Sequence, residues 1–190
     1  ILVDNGLMGL GLVLCLLFLF LNTRIAFWVA MGIPASMFAA VALMYAAGIT
    51  INMVSLFGLI ITLGIVVDDA IIVGENVFTK HREGISGVQG AILGAQEVQK
   101  PVIFSVITTI IAFAPLIMLP GPEGKLMKVI PIVVICTLIF SLIESLLVLP
   151  SHVSGISSDK FDRIPVIGAI QQKFSTGMEA FVDRVYSPFL

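Results

Sequence analysis

The sequence predicts an all-α fold: a polytopic transmembrane helix bundle of five spans with amphipathic interfacial helices. Composition points first, because 58% of the 190 residues are hydrophobic and only 12% charged, about half the charged share of soluble domains. Pattern points second, because the apolar residues gather into five runs near the length that crosses a hydrocarbon core. Charge distribution points third, since nearly all charged residues fall in the gaps between those runs. No basic patch suggests nucleic acid as a partner, and the partner that composition demands is the lipid bilayer.

The first span covers about residues 4–21, and Asn22-Thr23-Arg24 forms a turn short enough to require an antiparallel neighbour. The second covers 25–47 and tolerates Pro34 near its start, where neighbouring helices compensate for the missing N–H. After the uncharged turn at 48–52 the third span runs from 53 to 74 or slightly further. Residues 75–100 are polar enough to leave the membrane, yet Val88, Ala91, Ile92, Ala95 and Val98 recur at helical spacing, as in a helix lying on the bilayer surface. The fourth span starts at Pro101, a favourable first-turn residue, and runs to 119 with a kink expected at Pro115. Residues 120–125, PGPEGK, read as a turn, and the fifth span covers 126–149 before Pro150 ends it.

Residues 1–150 therefore form the transmembrane bundle, and 151–190 a cytoplasmic linker with a surface helix. In that tail, Ile167, Ile170, Phe174, Met178, Phe181 and Val185 make one apolar stripe behind an N-cap at Asp162. Alternating sides places Arg24, Lys80, Arg82, Lys100, Lys160, Arg163, Lys173 and Arg184 against Lys125 and Lys128, so the eight-residue side is expected to be cytoplasmic. The chain opens with Ile1 and carries no leader pattern, as expected of the interior of a longer polypeptide.

The third span holds the chemistry. In Gly64–Asn76, GIVVDDAIIVGEN, Asp68 and Asp69 interrupt an apolar run. Two ionised acids at that depth cost about 5–7 kcal/mol on insertion scales, so they are expected to face the bundle and to hold protons or find a cation. Consecutive helical residues lie about 100° apart. Gly64, Asp68 and Glu75 thus line one edge of a shared face, and Gly58, Thr62, Asp69 and Asn76 the other. No Lys or Arg lies deep inside any of the five spans, Lys128 standing at the outer edge of the fifth, so the expected cation is not supplied by them. Loading and releasing protons at such a pair is the chemistry of a proton-coupled carrier rather than of an enzyme. A hydrogen-bonded structural pair, in a noncatalytic membrane scaffold or assembly subunit, is the alternative.

Thr62, Glu75, Asn76 and Glu144 are auxiliary candidates, with Glu144 expected to snorkel to the cytoplasmic face or bond a neighbouring helix. Thr108 and Thr109 are expected to bond their own helix backbone. His81 and His152 read as solvated charges near headgroups, and Trp28 as an interface anchor. No metal site or cofactor is expected, and Cys15 and Cys136 read as small apolar groups.

The stretch INMVSLFGLIITLGIVVDDAIIVGENV, residues 51–77, resembles the fourth transmembrane helix of resistance-nodulation-division (RND) efflux transporters of the hydrophobe/amphiphile branch. Gly32-Ile33-Pro34, Lys100-Pro101 and Leu149-Pro150-Ser151-His152 extend the resemblance along most of the chain. It implies transmembrane helices two to six of a twelve-helix, proton-driven antiporter of the bacterial inner membrane, with Asp68 and Asp69 as proton-relay acids. It also implies partners beyond these residues: cationic and hydroxyl groups on later helices, periplasmic substrate domains, and a homotrimer. Lipid-exporting, protein-export and sterol-sensing relatives fit the paired acids less well.

Overall fold

The computed structural model describes residues 2–21, 23–85 and 87–155, together with Thr176 and Val182. The helices are α1 (Leu2–Phe20), α2 (Thr23–Ala46), α3 (Met53–Arg82), α4 (Gly87–Phe113), α5 (Gly121–Met127), α6 (Val129–Ile143) and α7 (Leu149–Ser154). A 3-10 turn, Ala114–Met118, extends α4, and a π turn, Glu144–Val148, joins α6 to α7. No strand occurs among the described residues. Four runs are long and apolar enough to cross a membrane, Thr23–Ala46, Met53–Arg82, Gly87–Met118 and Gly121–Ser154. α1, of 19 residues, is a shorter fifth. The all-α polytopic bundle expected from composition is what forms.

α3 is the hub, packing against α1, α2, α4, α6 and α7. Its start is fixed by a capping box. Asn52 Oδ1 accepts from the Val54 and Ser55 amides at 2.9 and 3.0 Å, and the Asn52 amide donates to Ser55 Oγ at 2.7 Å. Its end is fixed by Gly84 at φ +89°, a left-handed residue after Lys80 and Arg82, whose charges suit the negative end of the helix.

Glycines and small residues set the packing. A Cβ on Gly94 would stand 2.6 Å from Val77 Cα, and one on Gly74 would stand 2.8 Å from Ile25 Cγ2. α4 therefore approaches α3 to backbone distance and α2 lays its side chains directly on the α3 backbone, and both run antiparallel to it. α6 runs parallel to α3, since Gly58 meets Val133 and, further along both, Ser141 Oγ lies 3.5 Å from the Val66 carbonyl.

Element boundaries differ from the sequence reading in four places. α3 continues to Arg82, and α4 begins at Gly87 and passes through Pro101, so 75–100 is the paired ends of two long helices instead of a separate surface helix. The apolar residues at helical spacing there face a neighbouring helix in part: Ala91 and Ala95 are buried, while Val88 and Ile92 stay exposed. At Pro115 the α-helix tightens into the 3-10 turn. The expected turn at 120–125 is mostly helix, because Pro122 sits in the first turn of α5, where a proline ring is pre-organised. Pro150 does not end the fifth span, because the π turn before it widens the backbone and α7 resumes with that proline in its first turn. The surface helix expected in 162–185 lies outside the described residues, apart from Thr176 and Val182.

Candidate functional site

Asp68 and Asp69 are the sixteenth and seventeenth of the 30 residues of α3, at its midpoint, about 22 Å from either end. The two edges expected from helical geometry both form, but they face different surroundings. Gly58, Thr62 and Asp69 are buried and Asn76 half-buried, all on the inner flank of α3. Gly64, Asp68 and Glu75 are exposed and line a groove of about 430 Å³ between α3 and α1, walled by Val13, Leu17 and Leu21. The expectation that both acids face into the bundle therefore holds for Asp69 alone. A 100° step is wide enough to put one acid in the interior and the next on an open groove.

Asp69 is 4% exposed, and its Oδ2 has no hydrogen-bond partner among the described residues. A buried carboxylate oxygen without donor or cation is costly, so the site calls for a proton or positive charge brought to it. Two turns back along the same flank, Thr62 donates to the Gly58 and Leu59 carbonyls, both at 2.9 Å, and so spends its hydroxyl on its own helix.

The auxiliary candidates separate. Asn76 lies about 10 Å further along α3 than Asp69. Its Nδ2 donates to the Gly94 carbonyl at 2.7 Å and to Glu97 Oε2 at 3.1 Å, while Glu97 pairs with Lys80 at 2.8 Å. That makes Asn76 a clamp between α3 and α4. Glu75 is exposed at the end of the groove. Glu144 does not snorkel: it is 9% exposed, and its carboxyl fills the space that a side chain on Gly32 would need. Thr108 and Thr109 donate to Phe104 and Ser105 carbonyls of their own helix, as expected.

His81 departs from expectation. It is buried and its Nδ1 lies 2.7 Å from the Val77 carbonyl, because Gly90 leaves room for the ring under α4. His152 is exposed, and its ring sits 4.2 Å from that of Trp28, so both belong to one end of the bundle. The sequence reading passed over Ser36, Thr137, Ser141 and Ser145, all buried. The signal was present along α6 and the π turn that follows, where Thr137, Ser141 and Ser145 recur every four residues and so share one stripe.

The model of the AcrB/AcrD/AcrF family matches residues 2–186. Multidrug resistance protein MdtC of Salmonella arizonae is 36% identical over 144 residues, 75% of this chain. The proteins of that name from Photorhabdus laumondii and Escherichia coli are 34% and 32% identical over 75% and 76% of the chain. The chain spans 14% of the length of these curated relatives.

Proposed function

The chain belongs to the AcrB/AcrD/AcrF family of RND transporters, and from that premise we propose that it is the proton-binding portion of the membrane domain of a proton-driven efflux pump. Asp68 and Asp69 take up and release protons in this reading. The observation that carries it is the placement of two adjacent acids at the midpoint of the hub helix, one buried with an unpartnered oxygen and one on an open groove. The groove gives a basic residue from the rest of the transporter a way to reach Asp68. Protonation of Asp69 removes a buried charge and favours tighter packing of α3 on α2 and α6, and deprotonation reverses it. That shift is the mechanical output, passed to substrate domains outside this chain.

The same reading assigns the bacterial inner membrane, the basic end of the bundle to the cytoplasm, a homotrimer as the working assembly, and drug/proton antiport as the activity. Names of the relatives support a multidrug substrate range. The test is Asp68→Asn and Asp69→Asn, singly, in the full-length transporter, with dye efflux measured under an imposed pH gradient. Each is expected to abolish gradient-driven efflux while leaving the amount of membrane-inserted protein unchanged. Efflux at the parental rate in both variants overturns the reading.

A further inference from the structure

Glu144 is a third acid inside the bundle that the paired-Asp reading does not use. Four observations bear on it. Its carboxyl occupies a notch that exists only because α2 has glycine at position 32. It opens the π turn Glu144–Val148, a widened helical turn of the kind that recurs at functional sites. Its depth equals that of Asp69, because Ser141, three residues before it, meets the Val66 carbonyl, three residues before Asp69, and the two helices run parallel. His152, two turns on, lies within electrostatic reach of the carboxyl, and its exposed ring stacks on Trp28 at the basic end of the bundle.

The hydrogen bonding of His152 fixes its proton chemistry. Nδ1 lies 2.9 Å from the Val148 carbonyl. A carbonyl only accepts, so Nδ1 carries hydrogen and Nε2 of the neutral ring holds the lone pair. Ser36 Oγ, one turn beyond Gly32 on α2, is buried without a partner among the described residues, as is Asp69 Oδ2. Among the elements packed against the π turn, α7 brings His152, α3 carries Asp69 at the same depth, and the nearest charge on α2, Arg24, is two turns from Gly32.

We propose that Glu144 is a second proton carrier of this membrane domain, taking the proton that leaves Asp69 and handing it to His152 at the cytoplasmic surface. The inference rests on the proton-driven reading above. Each step moves one proton and no electrons: Asp69 becomes carboxylate as Glu144 becomes acid, Glu144 returns to carboxylate as His152 Nε2 is protonated, and the imidazolium releases to solvent.

The test uses the full-length transporter in phospholipid vesicles, with a trapped pH-sensitive dye reporting proton flux and ethidium as the exported probe. Glu144→Gln keeps the shape and a hydrogen-bonding group in the Gly32 notch, yet is expected to cut proton flux by at least about tenfold, with an unchanged melting temperature. Glu144→Asp should restore most of the flux, Gly32→Ala should lower it by displacing the carboxyl, and His152→Ala should flatten its pH dependence. Parental flux in Glu144→Gln, alongside lost flux in Asp69→Asn, overturns the inference and leaves the paired-Asp reading standing. Flux that falls only in step with the melting temperature, with no change in pH profile in His152→Ala, makes Glu144 a packing group and also overturns it.

Discussion

The two flanks of α3 are built from the same helix and differ in what they touch. On the inner flank, which buries Asp69, glycines let α2, α4 and α6 pack closely on α3, and Asn76 bonds across to α4. On the outer flank α1 stands off, and Gly64, Asp68 and Glu75 line a groove with nothing within 4 Å of where a Gly64 side chain would be. Neighbouring residues of one chemical type are thereby placed under opposite constraints. Asp69 is held where its charge is expensive, and Asp68 where another chain segment can reach it.

The largest effect expected from this contrast separates the two acids by stability. Replacing Asp69 with Asn removes a buried, unpartnered charge and is expected to stabilise the fold by about 2–3 kcal/mol at alkaline pH, read from thermal denaturation in detergent. Asp68→Asn should change it little. Equal shifts for the pair would break the contrast.

Next comes the close approach on the inner flank. Gly94→Ala drives a methyl group against the Val77 backbone and is expected to cost about 1–3 kcal/mol, measured in the same melt. An undiminished melting temperature would mean that α3 and α4 are not in backbone contact. Asn76→Ala removes the bond to the Gly94 carbonyl and should cost about 1 kcal/mol; no loss at all would deny the clamp.

The smallest effect belongs to the outer flank. Gly64→Ala meets open space and, with alanine the better helix former, should leave this chain unchanged or stabilise it by up to about 1 kcal/mol. If the same substitution destabilises the full-length transporter, the groove is filled there by other helices, and the contrast sharpens into an interface.

The all-α membrane bundle and the midpoint position of the acids in their helix were legible because run length and charge spacing are written in the order of residues. The two edges of α3 were legible too, since helical geometry alone sorts Gly64, Asp68 and Glu75 from Gly58, Thr62 and Asp69. Helix ends at Pro101 and Pro150 were not, because whether a proline stops a helix depends on what neighbouring backbone and a π turn can absorb. The burial of His81, and which of its two expected places Glu144 takes, were not legible for a related reason: a polar residue near a helix end is solvated or buried according to whether a glycine stands opposite, here Gly90 and Gly32 on other helices.

By itself the chain's order of residues determined a membrane bundle and a pair of acids that must be neutralised within it, because hydrophobic length and the cost of charge in hydrocarbon are local properties. Only the tertiary structure decided that Asp69 faces the seam and Asp68 the groove, and that Glu144 lies at the depth of Asp69, because burial is a property of what packs on a residue and not of the residue.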